Sequence, residues 1–152
     1  MKVMILDDDP VILIMMSFFF QKRGYEVFTY ANPTECPLYT NESCPCSLKD
    51  HCPNVIITDY DMPKANGVDF LEALRRKGCK CFNLALISGY SITDIAVEHE
   101  TNYGVKFFAK PFHWKQIDDW LDQVETSLKQ EQQANGAPPL LRQLDRTPAA
   151  PH

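Results

Sequence analysis

The sequence lacks a basic excess. Its 152 residues carry 15 lysines and arginines against 20 aspartates and glutamates, a formal net charge of −5, so no positive field is available to hold nucleic acid non-specifically, and no nucleic-acid partner is expected. It also lacks an apolar run of membrane-spanning length. The longest, Val11 to Phe20, is interrupted by Ser17 and follows three aspartates, whereas a spanning helix needs roughly 20 apolar residues and a signal peptide opens on basic ones. Neither a signal peptide nor a membrane contact is expected. Six cysteines are too sparse for a small disulfide-stapled secreted domain, which makes a reducing cytoplasm the expected compartment. The length suits one domain with a short appendage and excludes a multidomain enzyme.

What is present is an alternation of apolar runs and helical patterns. Met1 to Leu6 has the composition of a strand buried on both faces and stops at Asp7, Asp8, Asp9 and Pro10. Asp9 or Pro10 then opens a helix through Arg23, with Gly24 as its stop. Tyr25 to Tyr30 reads as a strand. From Asn32 to Asn54 four prolines and four cysteines interrupt any helical period, leaving room for at most one short helix. Val55 to Thr58 is a buried strand ending at Asp59; Tyr60 to Gly67 has turn chemistry; Val68 to Lys77 is a helix stopped by Gly78. Leu84 to Ile87 is a strand ending at Ser88 and Gly89, followed by a helix over 92–102 capped by Ser91. Val105 to Ala109 is the fifth strand, ending at Lys110 and Pro111. Trp114, Ile117, Leu121, Val124 and Leu128 then mark an amphipathic helix. The domain is expected to span 1–128, and 129–152, which holds four prolines, to form a flexible tail. Five strands alternating with helices imply an α/β domain with a doubly wound parallel sheet.

In such sheets ligands bind beyond the carboxyl ends of the strands. The residues there are Asp7, Asp8 and Asp9, then Asp59, Ser88 and Lys110. Adjacent strands lie about 4.8 Å apart, so adjacency of the first and third would gather several carboxylates and raise their pKa values unless a cation is bound. Magnesium suits oxygen ligands and shares its shell with phosphate. Lys110 adds a fixed positive charge, and Ser88 a hydroxyl able to donate to a phosphoryl oxygen. The set is that of a phosphoryl-transfer site with an aspartate nucleophile. Taken singly, each of these residues is more readily explained as structural, an aspartate at a strand end being usually a helix cap or turn former.

In combination these residues resemble the receiver domain of two-component response regulators. The matching stretches are VMILDDDP, IITDYDMP, LALISGY and KFFAKPF, in the family's order, within residues 1–128. The resemblance implies a flavodoxin-like strand order of 2-1-3-4-5 and a chain that is not an enzyme in its own right but a phosphoacceptor. Asp59 would take a phosphoryl group from a histidine kinase or phosphotransfer protein. Asp8 and Asp59 would ligate Mg2+, the Asp61 backbone carbonyl would complete the protein ligands, and Asp7 would act through water or hold the site acidic. Ser88 would bond the phosphate, Lys110 would neutralise it, and Phe107 would be the switch aromatic that alters a surface for a downstream protein target. A cis bond is usual where Lys110 meets Pro111, and Asp61 and Tyr90 stand at positions that influence dephosphorylation.

Two features depart from the family. Cys36, Cys44, Cys46 and Cys52 stand in the pattern C-x7-C-x-C-x5-C where a regular second helix is usual. With the third and fourth strands adjacent, Cys52 should lie near Cys79 or Cys81, at the end of the sheet away from Asp59. Such a thiolate cluster would bind Zn2+ or an iron–sulfur centre, form disulfides or remain as thiols. The first helix is also apolar on nearly every side, which points to a docking face for a partner or to a homodimer contact, or else to cover by the Cys-rich loop or tail. Two other functions fit less of the sequence: a receiver-shaped interaction module that is not phosphorylated, and a haloacid dehalogenase-type phosphatase using Asp59 and Asp61. The second lacks a Thr at Pro63 and leaves the first-strand aspartates unexplained.

Overall fold

Five short apolar runs pair into one parallel sheet. The computed structural model describes residues 1–44, 52–91, 93 and 104–136. In chain order these form β1 (Lys2–Leu6), α1 (Pro10–Lys22), β2 (Glu26–Tyr30), a 3-10 turn (Pro33–Glu35), α2 (Pro37–Thr40), β3 (Val55–Asp59), α3 (Gly67–Arg76), β4 (Asn83–Ser88), β5 (Lys106–Ala109) and α4 (Trp114–Gly136). The sheet order is β2-β1-β3-β4-β5, with every neighbouring pair parallel, as the resemblance implied. The helix expected over 92–102 falls, apart from Thr93, outside the described residues.

Burial follows strand order. The central strands β1, β3 and β4 are buried almost throughout, while β2 and β5 are the exposed edges. Crossovers run outward in opposite directions from β1 and β3, and with right-handed connections this puts α1 and α3 on opposite faces. On the α3 face, Met4, Leu6, Ile56 and Leu84 meet Phe70, Leu71 and Leu74 in one core. The alternate strand residues Val3, Ile5 and Ile57 point the other way, the side on which α1 buries Met16 and Phe20.

The helix ends obey local chemistry. Asp9 caps α1 by accepting a hydrogen bond from the Val11 N–H at 2.8 Å, with Pro10 at the first helical position. Gly24 and Gly78, both at φ +78°, turn the chain out of α1 and α3 in the left-handed conformation that L side chains resist. Asn66 and Gly67, expected in a turn, instead start α3. The Asn66 side chain caps it through the Asp69 N–H at 2.8 Å, and Gly67 is its first residue.

The segment after β2 contains no regular second helix among its described residues, only the 3-10 turn and the four-residue α2. Each begins on a proline, and proline suits a helix only in its first turn.

The chain divides into two compact units, residues 1–112 and 113–152. The sheet belongs to the first. The second contains α4, in which Ile117, Leu121 and Val124 are buried at helical spacing. This helix runs to Gly136, so residues 129–136, expected in the tail on composition, are helical. They carry no helix-breaking proline. No helix among the described residues is long and apolar enough to cross a membrane.

Candidate functional site

The carboxyl ends of β1, β3 and β4 set the site. Asp59 is the last residue of β3 and only 4% exposed, and Asp7 directly follows β1 at 1% exposed. Lys110, just beyond β5, places its ammonium 2.6 Å from Asp59 Oδ1 and 3.3 Å from Asp7 Oδ2. The chain there is held by the Lys110 N–H donating to the Ser88 carbonyl at 2.7 Å, and the Lys110–Pro111 bond is cis. The second Asp59 oxygen accepts the Asp61 N–H at 2.9 Å, and Asp7 Oδ1 accepts the Asp9 N–H at 2.9 Å.

Above this pair opens a cleft of about 610 Å³ lined by Asp8, Asp9, Asp59, Asp61, Gly89, Tyr90 and Lys110. Asp8 and Asp61 are exposed within it. Asp9 serves as the cap of α1, so its carboxylate has a structural task as well as a place in the wall.

Burial pushes the Asp59 carboxyl above its ordinary pKa, opposed by the bonds to Lys110 and reinforced by the charge on Asp7. Asp7 is raised for the same first reason, against the Asp9 N–H and Lys110. For Lys110, burial alone would lower the value, but the bonds and charges of Asp59 and Asp7 outweigh it and hold the ammonium above the usual lysine range. One ammonium therefore answers two buried carboxylates, with more acidic groups at the rim. The donors are hard oxygens, they open to solvent, and their negative charge is incompletely balanced. These conditions fit a divalent cation that keeps several waters, Mg2+ above all.

Ser88 ends β4, is buried, and its Oγ accepts the Tyr90 N–H at 2.9 Å. In the β3–β4 register Asp59 pairs with Ile87, so Ser88 stands one residue beyond the level of Asp59. Phe107 is half-buried on β5 and packs against the buried Val68 and Leu86, as Tyr60 also does. Tyr60 and Tyr90 meet edge to face, with centroids 5.6 Å apart.

Two neighbours escaped the sequence reading. Thr58, fully buried, donates its hydroxyl to the Asp59 carbonyl at 3.0 Å. Gly67 lies so close that a Cβ there would overlap the Asp59 carbonyl oxygen and stand 2.7 Å from Leu86 Cδ1. The only sequence signal for the latter was a glycine at a helix start, where a cap or a turn is the ordinary reason.

The cysteines separate. Cys44, Cys52 and Cys79 have sulfurs within 4.8 Å of one another, Cys44 and Cys52 being 3.3 Å apart. Cys36 stands outside this group. It is fully buried beside Met4, with its sulfur 3.6 Å from the thioether, and burial pushes its thiol pKa up. Cys81 faces the backbone instead, its thiol 3.5 Å from the Asn54 carbonyl. Cys46 lies outside the described residues. Among the described residues three of the candidate cysteines therefore meet, Cys52 lying near Cys79, while Cys36 is held beside Met4 and Cys81 against the Asn54 carbonyl.

The family model for the response regulator receiver domain matches residues 3–122. The chain is 29% identical over 121 residues to sporulation initiation phosphotransferase F of Bacillus subtilis, covering 78% of this chain and 88% of that protein. It is 34% identical over 76 residues to hybrid signal transduction histidine kinase C of Dictyostelium discoideum, covering 50% of this chain and 6% of the kinase. Among solved structures, the chemotaxis protein CheY4 of Vibrio cholerae aligns with a TM-score of 0.64 at 27% identity, over 81% of this chain and 97% of that one. The chain spans less than half the length of several curated relatives, from that 6% to 45% of an uncharacterized response regulatory protein of Staphylococcus epidermidis. Asp59-Tyr60-Asp61 accordingly closes the third strand of this fold, not the first strand of a longer phosphatase. The chain belongs to the response regulator receiver domain family, a signalling module of two-component systems.

Proposed function

We propose that Asp59 accepts a phosphoryl group from a phosphohistidine on a histidine kinase or phosphotransfer protein, in a Mg2+-dependent reaction that switches a surface for a downstream protein. The observation that carries this reading is the Lys110 ammonium 2.6 Å from Asp59 Oδ1 at the base of an acidic, open cleft.

In the transfer, an Asp59 carboxylate oxygen forms the new bond to phosphorus as the P–N bond to the donor imidazole breaks, and the imidazole leaves. Bound magnesium would supply charge neutralisation to the phosphoryl oxygens. Asp8, Asp59 and the Asp61 backbone carbonyl would hold it, with Asp7 acting through water. Lys110, fixed between Asp59 and Asp7, offers a second positive charge to a phosphoryl oxygen without reorganising. The Asp61 N–H keeps the carboxylate oriented. The Ser88 hydroxyl would donate to the phosphoryl group, and Phe107, half-buried on the neighbouring β5, would repack in response. Loss of the phosphoryl group proceeds by attack of water, with Asp61 and Tyr90 at the cleft wall in position to order or shield it.

The outer stripe of α1 supports a donor-docking role. Val11, Ile14, Met15 and Phe18 are 59%, 70%, 44% and 61% exposed at i, i+3, i+4 and i+7, on a helix that already buries Met16 and Phe20 on its other side. A second copy is the other occupant this stripe suits. The reaction places the protein with its donors in the cytoplasm.

Incubation with Mg2+ and a small phosphodonor, read by intact-mass spectrometry, tests the assignment. One added phosphoryl group, abolished by Asp59→Asn and by chelation, is the expected result. An adduct that persists in Asp59→Asn, or no adduct at all, overturns it.

A further inference from the structure

The acidic cleft occupies one end of the sheet; the three-cysteine group occupies the other. Cys52 lies three residues before β3 and Cys79 four before β4, at the amino ends of two neighbouring strands. Cys44 follows α2, and its N–H donates to the Lys77 carbonyl at 3.0 Å, fixing it beside the end of α3. The Cys-rich segment, which holds Cys44 and Cys52, and the residue run before β4, which holds Cys79, thus bring three sulfurs to a single point. Cys79 is buried, while Cys44 and Cys52 are half-buried against the α3-side core.

We propose that Cys44, Cys52 and Cys79 hold a zinc ion that ties the Cys-rich segment to the amino ends of β3 and β4. A Zn–S distance of about 2.3 Å puts the sulfurs of a tetrahedral site about 3.8 Å apart. The Cys44–Cys52 separation of 3.3 Å and the 4.8 Å limit on the group bracket that value. The 3.3 Å separation is well beyond a disulfide bond, about 2.05 Å, and a disulfide would leave the third sulfur unexplained. An iron–sulfur cluster interposes several irons and sulfides between its thiolates, so its cysteine sulfurs stand farther apart than these. Thiolates are soft, and a tetrahedral sulfur-rich set selects zinc over the hard cation suited to the acidic cleft. Cationic side chains are at hand for the negative charge of a zinc–thiolate centre: the Arg75 guanidinium donates to the Cys79 carbonyl at 2.9 Å, and the Lys77 ammonium to the Tyr39 carbonyl. The fourth tetrahedral position falls to a ligand outside this set.

The role follows from what the segment lacks. Its only described helices are a three-residue 3-10 turn and the four-residue α2, too short to stand on propensity. A metal cross-link supplies the order that a regular helix would otherwise provide.

The test is zinc content and cobalt spectroscopy on the full chain, purified under reductant and dialysed. One zinc per chain is expected. Replacement by Co2+ should give a sulfur-to-cobalt charge-transfer band in the near ultraviolet, of an intensity for at least three thiolates, with the visible bands of tetrahedral cobalt. Cys52→Ser and Cys79→Ser should each weaken zinc retention by at least roughly 10–100-fold, the cost of losing even an outer partner of a metal site. The cobalt spectrum of the unmodified chain decides the matter if either variant fails to fold. Zinc far below one per chain, cobalt bands without a thiolate contribution, or a Cys44–Cys52 disulfide recovered from zinc-free protein overturns the proposal.

Discussion

The carbonyl oxygen of Asp59 occupies the space that a side chain at Gly67 would need. The start of α3 therefore rests on the backbone of Asp59 itself, and the loop between them closes with the Gly67 N–H on the Tyr60 carbonyl at 2.9 Å. Gly67→Ala forces either the helix or the end of β3 to move. Overpacking of this kind costs about 1–3 kcal/mol, and the obstacle here is backbone, which yields less than a side chain. Denaturant unfolding should show that loss, and phosphorylation by a small donor should slow as Asp59 is displaced. Unchanged stability and rate would mean that α3 can shift without consequence for the site.

Removing Lys110 leaves two buried carboxylates without their shared cation. Because the lysine side chain is 32% exposed, solvent screening tempers the full cost of breaking a buried pair, and Lys110→Ala should lose about 1–3 kcal/mol at neutral pH. The same change deepens the negative field, so Mg2+, followed by titration calorimetry, should bind more tightly while phosphorylation slows. Weaker Mg2+ binding would contradict the electrostatic account.

Asp7 makes a pH-dependent prediction. Burial raises its folded-state pKa above the ordinary 3.8, so the native state favours the protonated form. Any stability gained by that preference is present below the unfolded value and is lost as pH rises through the folded one. Without Mg2+, Asp7→Asn should be more stable than the parent at pH 7, and the advantage should shrink as pH falls toward 3.8. Thermal unfolding at several pH values measures it. Mg2+-dependent phosphorylation should fall in the same variant, a stability gain at the expense of function.

Phe18 separates donor docking from chemistry. It is 61% exposed on the outer stripe of α1, covered in part by the Lys22 ammonium 4.6 Å from its ring centroid. Phe18→Glu should leave stability within about 0.5 kcal/mol and phosphorylation by a small donor unchanged, while transfer from a phosphorylated histidine protein slows. Sedimentation of the same variant reports whether the stripe instead joins two copies.

The parts of this fold that were legible in the sequence are those set by local rules. β1, β3 and β4 are apolar runs because both of their faces are covered, and each ends on or just before a polar residue of the candidate site, Asp7, Asp59 or Ser88. Asp9 and Gly24 bracket α1 by capping and by left-handed backbone, and both effects act over a few residues. The order of the strands came from the resemblance, since parallel pairing leaves no local trace. The start of α3 was misjudged because Asn66-Gly67 is a turn pair by local preference, whereas packing against Asp59 and Leu86 decides its conformation. The cysteines could be placed at one end of the sheet but not sorted. Whether Cys36 joins Cys44 or turns to Met4 depends on the core beneath it, not on spacing.

β3 is five residues long, about 17 Å from end to end, and the acidic cleft and the three-cysteine group lie toward its opposite ends. If both proposals hold, a single strand insulates two ion chemistries. Oxygen-seeking and sulfur-seeking cations would then meet different mouths of the molecule, so a cell rich in magnesium and poor in zinc could load each without one ion displacing the other.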